Sequence, residues 1–536
     1  MKRSANRILV LGTLFGALAC GSGGDEGAAQ RSNEPVGSNS DSDEPAIPGR
    51  APPPPGTPPN TSPTPTPAPT PTPPATPDPN PPAQNDPDPD DPRAPPSAPP
   101  GQEIWPPAAY QDLPRGWKWV RLNPMFLSAL NVSREPVSTA FVNQYFDAFQ
   151  ATAVHLWADG LPDLVDEWHA ADHPNFRYVS WVEPDGTPHF FSSNDSAVLG
   201  GHTPQPGRIG YQIGDEPTEL SQIQEMKVGL DAVRAADPDA LVYVNFHKRS
   251  PKEVTDFYGT MDGDIVSYDA YDPDARSYYD YLARFRAVGI EQGRPFWRYS
   301  KAYYELGEDD PTLMESDLRW GALVGLTYGY TGHTWFLYQA DSDHDLGVAL
   351  FNQPGNYSST ITAQFIFAAL INAEMKNYGR AITQLTSTDV RYLQMHNVPF
   401  VKPEGVSDWR AGSGDEPYLR AIESSESAPL DLAIGYFEDF YREKYVIVQN
   451  LRHSGAPFPI NLDDDATVTL EFDFAEAPSN FDRGRILWFD GKSGEVVNVP
   501  LSGSGDRRSV TRTLTAGDIF FYKYATGRGF MLQPKQ

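Results

Sequence analysis

The chain has 536 residues, 39% hydrophobic and 12% aromatic, enough to bury at least one large core and to build two or three domains. Its 71 acids outnumber its 42 bases for a net charge of -29, which argues against nucleic acid or an anionic membrane surface as partner, since phosphate binding needs a basic face. A neutral or cationic ligand suits that balance.

The N-terminus reads as an export signal over residues 1–19. Lys2, Arg3 and Arg7 supply the positive region, and residues 8–19 an apolar stretch too short to span a bilayer. Ala17-Leu18-Ala19-Cys20-Gly21 resembles a bacterial lipobox, which implies cleavage before Cys20 and lipidation of its thiol. Cys20 is the single cysteine, so a mature exported domain has no internal disulfide. The expected location is the bacterial cell envelope, lipid-anchored to a membrane, or the secreted fraction.

Residues 20–111 read as a disordered linker. About half of the chain's 54 prolines fall between 35 and 100, with Pro/Thr alternation over 63–74 and Asp/Pro alternation over 77–92. Such a stretch has no apolar side chains for a core and favours extended polyproline II, so at roughly 3 Å per residue it could hold a domain well over 100 Å from its anchor.

From residue 112 to 380 strand-like and helix-like segments alternate. The predicted strands are 117–123, 153–157, 177–183, 208–215, 241–246, 265–271, 295–301 and 333–339. Helical patterns follow near 138–149, 161–170, 219–236, 251–258, 276–288, 311–326 and 359–378, with a long Gly/Ser/His loop after the third strand. Eight strands alternating with seven helical patterns over about 265 residues are the pattern of a (β/α)8 barrel, a TIM barrel of α/β class. Residues 381–536 alternate differently. Runs at 390–396, 432–437, 445–451, 467–474, 486–490, 496–501, 510–514 and 518–524, separated by turns, predict an all-β sandwich, whose plainest role is to cover one flank of the barrel.

The fourth predicted strand ends in Gly214-Asp215-Glu216-Pro217, two adjacent acids where a barrel places its catalytic groups. An alternative is that Asp215 caps the following helix and Glu216 favours its positive end. Around the mouth the strand ends offer Asn123, Trp157, Trp181, Glu183, Asn245, His247, Asp269, Tyr271, Tyr299, Lys301, Trp335 and Tyr338. Aromatic plates stack on the C–H faces of sugars while acids and amides take the hydroxyls, so this mixture predicts a carbohydrate substrate.

Gly214-Asp215-Glu216 and Trp335, on a barrel with a C-terminal sandwich, resemble the (β/α)8 glycoside hydrolases. The triplet is similar to that of family 20 β-N-acetylhexosaminidases, which implies Glu216 as general acid and Asp215 as the group that orients an acetamido substituent. Asp-Glu-Pro also occurs in bacterial proteins resembling family 42 β-galactosidase barrels, and Ser267-Tyr268-Asp269 resembles the Tyr-Asp of chitinase-like barrels. Glycosidic cleavage needs one protonated carboxyl and a second that stabilises or attacks the oxocarbenium-like centre. Glu216 is expected to be the acid, its pKa raised by Asp215 and by desolvation; the second carboxylate is Asp215, Asp269, Glu183 or Glu305.

The seventh strand lacks a terminal Glu, which leaves open a non-catalytic glycan-binding lipoprotein on a degenerate barrel. A polysaccharide lyase would use Arg298 to hold a uronate. No cofactor is expected: the ten histidines show no zinc pattern, and neither a phosphate loop nor a Gly-x-Ser-x-Gly elbow is present. Asp341, Asp343 and Asp345 have the spacing of a structural calcium loop, but Asn352 stands where its twelfth-position acid belongs. The sequence does not fix an oligomeric state.

Overall fold

A strand covered on both faces reads as an almost unbroken apolar run, and eight such runs close into a parallel barrel in the computed structural model of this chain. The barrel strands are β1 (Phe126–Asn131), β2 (Val154–Leu156), β3 (Tyr178–Val182), β4 (Arg208–Asp215), β5 (Leu241–His247), β6 (Ile265–Asp269), β7 (Phe296–Lys301) and β8 (Gly332–Phe336), in chain order round the ring, with β8 pairing back to β1. The described residues are 102–131, 143–156, 177–182, 207–271, 275–305, 313–338, 346–348, 350, 361–394, 406–412, 417–424, 431–454 and 465–535. All belong to the unit that runs from Pro87 to Gln536. The export signal, Cys20, the linker as far as residue 101, Trp157, Glu183 and the Asp341, Asp343 and Asp345 loop lie outside the described residues.

The folded part begins before residue 111. Gln102–Glu103 pairs in parallel with Phe530–Met531, and the buried indole of Trp105 donates to the Gln384 carbonyl at 3.1 Å. The predicted first strand at 117–123 is instead a helix, α1 (Arg115–Leu122). Its aromatic and β-branched residues look strand-like, but Trp117, Val120 and Arg121 share a helical face, and the buried Arg121 guanidinium donates to the carbonyls of Thr383 (2.6 Å) and Leu385 (2.9 Å). Trp119 packs edge-on against Trp297, 5.8 Å between centroids, and so α1 floors the N-terminal end of the barrel. The first strand is therefore one step later, at Phe126–Asn131.

Inside the barrel side chains fill layers. The lowest holds Phe126, Ala153, Val179, Ile209, Leu241, Tyr243, Ile265 and Trp297, with Phe126 and Trp297 stacked at 4.3 Å. A polar layer follows, where Ser128 and Thr334 bond at 2.8 Å, and above it sit Leu130, Trp181 and Tyr299 with Tyr271 and Phe336. The helices α2 (Leu220–Ala236), α3 (Lys252–Tyr258), α4 (Ala275–Glu291), α5 (Glu315–Tyr328) and α6 (Ala363–Ile382) match five of the predicted helical patterns. The stretch near 138–149 is described only from 143, where Gln144–Ala148 forms one π-helical turn.

The tail forms two facing sheets. Its strands are β9 (Thr386–Gln394), β10 (Ser407–Asp408), β11 (Leu419–Ser424), β12 (Asp431–Glu438), β13 (Lys444–Asn450), β14 (Ala466–Asp473), β15 (Arg485–Asp490), β16 (Glu495–Pro500), β17 (Ser502–Ser504), β18 (Arg507–Leu514) and β19 (Ile519–Tyr524). Seven make one sheet in the order β10-β9-β12-β13-β19-β15-β16, and four the other, β11-β14-β18-β17. All eight predicted runs are strands here, and β10, β11 and β17 were not predicted. One face of the larger sheet packs on the smaller through Ile434, Val448, Phe520, Leu470 and Phe472. Its other face covers α5: Thr327 Oγ1 bonds Gln449 Oε1 at 3.0 Å, and the hydroxyls of Tyr328 and Tyr392 meet at 2.6 Å.

Gly435 of β12 allows this approach, since a Cβ there would stand 2.1 Å from the Thr327 carbonyl oxygen. Gly435→Ala is expected to lever the sheet from α5 and cost about 1–3 kcal/mol, the usual scale of overpacking, read as a fall in the urea midpoint.

Candidate active site

The acids meet because β4 does not keep step with β5. Gln212 pairs with Tyr243 but Asp215 with Asn245, so three positions on β4 oppose two on its neighbour. Gly214, at φ +58°, takes up the extra residue as a β-bulge does. Strict alternation would send Gln212 inward and Asp215 outward; the bulge turns both toward the interior. The next residue, Glu216, has φ +45°, and its amide donates to the Asn245 carbonyl at 2.9 Å. A non-glycine residue in the left-handed region costs of order 1 kcal/mol, a strain found where function requires a particular direction. The helix-capping alternative fails: α2 starts at Leu220, and Gln222 Oε1 accepts the Glu219 amide at 3.0 Å, so the first turn is closed without Asp215 or Glu216.

Asn245 is the hub. Its Nδ2 donates to Asp215 Oδ1 (3.1 Å) and Asp269 Oδ1 (3.2 Å), while its Oδ1 accepts from the Ser267 hydroxyl (2.9 Å). Gln212 Nε2 adds a second donor to Asp215 Oδ1 at 3.2 Å. Behind it, the Tyr299 hydroxyl donates to Gln212 Oε1 (2.8 Å) and lies 2.6 Å from His155 Nδ1. Burial pushes the His155 pKa down to about 3, so this ring is neutral.

Glu216, His247 and Asp269 bring carboxylate and imidazole atoms within 4.8 Å of one another. Asp269 is buried, Glu216 is exposed at the rim and His247 stands between. Burial raises the Asp269 pKa well above the carboxylate range, and the charges of Glu216 and Asp215 and a side-chain hydrogen bond to Glu216 push the same way. Asp215 is also raised well above that range, first by burial and then by Glu216, against the pull of Asn245. The desolvation expected at Glu216 thus falls on its two neighbours. The same three residues could ligate a cation. His247 Nδ1 also accepts the Arg249 amide at 3.3 Å.

Asp215, Glu216, Asn245, His247, Asp269, Tyr271, Tyr299, Lys301 and Trp181 therefore come from the upper barrel. Tyr271 stacks on Phe336 (5.1 Å), and Lys301 Nζ lies 5.0 Å over the Tyr303 ring. Four expectations are corrected. Trp335 is buried on the outer side of β8, its indole donating to Asn372 Oδ1 of α6 at 2.9 Å, because alternation turns Thr334 and Phe336 inward. Tyr338 packs with Tyr145, Phe149 and Phe365 in that same outer core. Asn123 lies at the opposite end of the barrel, where it ends α1 and accepts from Arg177 Nη1 at 2.8 Å. Arg298 points outward from β7 to Tyr278 and Ser300. Glu305 belongs to a short strand that pairs with Leu346–Val348. Sequence reasoning missed Gln212, His155, Ser267 and Phe336. A polar residue inside an apolar strand, as in Tyr211-Gln212-Ile213 or Val154-His155-Leu156, is the available signal for the first two.

No protein-family model matches the chain, and no curated protein matches its sequence. Similar solved structures include a β-galactosidase from the haloarchaeon Halorubrum lacusprofundi (14% identity, TM-score 0.34) and one from Marinomonas ef1 (11%, TM-score 0.39). The matches cover 48% and 50% of this chain but only 62% and 63% of those enzymes, under two thirds of either. An α-L-fucosidase isoenzyme 2 from Paenibacillus thiaminolyticus is matched over its whole length and 75% of this chain, at 8% identity and TM-score 0.44.

An acid whose pKa is raised in the fold binds its proton more tightly there than in the unfolded chain, so its effect on stability turns unfavourable as pH rises above the unfolded value of about 3.8. Asp269→Asn keeps the acceptor for Asn245 and removes that penalty. At pH 7.5 it is expected to gain roughly 0.5–2 kcal/mol, as relief of a strained functional site does, and the gain should vanish near pH 4. Urea titrations at both pH values check this; an equal effect at both would mean that ionisation is not what strains the site.

Proposed function

We propose that the protein is a glycoside hydrolase acting on an extracellular oligo- or polysaccharide. The observation that carries this reading is the carboxyl cluster held by Asn245, with Glu216 and Asp269 atoms within 4.8 Å at the open end of the barrel. Glu216 and Asp269 share a proton, and Glu216, at the exposed rim, passes it to the leaving oxygen as the glycosidic C–O bond breaks. Asp215, fixed by Gln212 and Asn245, faces the positive charge that develops at the anomeric carbon or orients the substituent that does so. Glu216 then takes a proton from the water that completes hydrolysis. Trp181, Tyr271 and Phe336 supply the stacking faces.

The reading is tested by screening the protein on aryl glycosides and polysaccharides. Glu216→Gln should lower kcat by about 10²–10⁴-fold, the usual worth of general acid catalysis, with sugar binding retained. Wild-type turnover in that variant would reject the assignment. A second reading, a glycan-binding protein without turnover, is favoured by Lys301, which ends β7 where a retaining barrel of the commonest kind carries its nucleophile. Binding with no hydrolysis across the whole panel would select it.

We also propose that the protein is held at the cell envelope by lipid on Cys20. Cys20→Ser is expected to move most of the protein from the membrane fraction to the soluble fraction, as seen by immunoblot; unchanged membrane association would exclude that anchor.

A further inference from the structure

A cavity of about 450 Å³ opens at the N-terminal end of the barrel, opposite the acids. Its walls come from the residues that lead into β1, β2 and β3, from the last turns of α6, and from the end of the chain at Gln533, Pro534 and Lys535. Arg177, Lys376, Arg380 and Lys535 line it against one acid, Asp147, although acids outnumber bases 71 to 42 in the chain.

Two of these cations have only neutral hydrogen-bond partners. Arg177 donates to Asn123 Oδ1 at 2.8 Å; Arg380 donates to the carbonyls of Gly494 (2.9 Å) and Gln533 (3.0 Å) and to Gln102 Oε1 (3.5 Å). Neither bonds a carboxylate among the described residues; burial lowers the pKa of both, opposed at Arg380 by the charge of Glu495. A guanidinium taken out of water normally recovers its hydration from an anion set against its planar fork. Lys376 also lines the cavity, its Nζ at 3.2 Å from Gln150 Oε1, and Lys535 is paired with Glu495. The volume lies within the range of small-molecule sites, about 300–1,000 Å³.

We infer that this cavity is a binding site for a small ligand carrying an oxyanion, a carboxylate, sulfate or phosphate group, seated between Arg177 and Arg380 with Lys376 at its edge. The site is independent of the carboxyl cluster and of the hydrolase reading, since the whole barrel interior lies between them.

The test is a thermal melt of the full chain at constant ionic strength, with chloride replaced by phosphate, sulfate or glucuronate. At least one of the three should raise the midpoint above the chloride value with a saturating dose response, and the largest response identifies the group. Arg177→Gln should weaken the apparent affinity by about tenfold or more, whereas Glu216→Gln should leave it unchanged. Should Arg177→Gln not fold, Lys376→Gln, on the outer part of the same wall, serves as the second variant and should show the same loss. No response beyond chloride to any of the three anions, or a response that survives in whichever of these variants folds, overturns the inference.

Discussion

Three carboxyl groups stand round one amide at the end of the barrel, and like charges that close repel strongly. Even at the 4.8 Å outer limit of their spacing and an effective dielectric near 20, full charges on Glu216 and Asp269 would repel by roughly 3–4 kcal/mol, a large part of a domain's net stability. Burial first, and this repulsion second, raise the pKa values of Asp215 and Asp269. A group of this kind does nothing for folding. It persists because the surrounding scaffold leaves the acids nowhere else to go.

That scaffold is rigid for reasons that can be followed outward. Asn245 and Gln212 are interior positions on neighbouring strands, locked by the register on either side of the Gly214 bulge. Beneath them the barrel is filled down to the Phe126 and Trp297 stack and closed by α1. Outside, α5 is pinned between barrel and sandwich: Arg319 forks onto both oxygens of Glu374 on α6 (2.7 and 3.1 Å), and Asp317 accepts from the His453 ring at 3.0 Å. The sandwich thus braces the flank that carries β7 and β8, which gives a structural reason for its presence without a ligand of its own.

The sequence was readable where burial alone sets the pattern. Both faces of each barrel strand are covered, so short apolar runs marked β2 to β8; the doubly covered β12, β13 and β19 read the same way, and half-buried alternation marked β14. It misled where two periods overlap. Residues 117–123 carry aromatic and β-branched side chains that suit a strand, yet the buried face of α1 is helical, and only the contact with Thr383 and Leu385 decides between them. Direction was the harder matter. That Asp215 faces inward depends on a one-residue bulge, for which Gly214 is the only written trace, and that Trp335 faces outward depends on counting alternation from Thr334. Strand ends could be located from the sequence; the side of the sheet on which each side chain falls could not.

The hydrogen-bond chain below the cluster sets Asp215 apart from Asp269. Gln212 Nε2 also donates to the Gly214 carbonyl at 3.3 Å, and a carbonyl can only accept, so the amide has one orientation and its Oε1 must accept from Tyr299. Tyr299 has then used its hydrogen and must accept from His155 Nδ1–H, consistent with a ring that burial keeps neutral. Every hydrogen in this chain is committed, and its last donor ends on Asp215 Oδ1, where Asn245 adds another. Two N–H donors favour the ionised form of Asp215 and oppose the effect of burial. Among the described residues Asp269 receives one, from Asn245, and its contact with Glu216 acts in the same direction as burial. The hydrogen bonds therefore oppose protonation at Asp215 more than at Asp269, while burial raises the pKa of both.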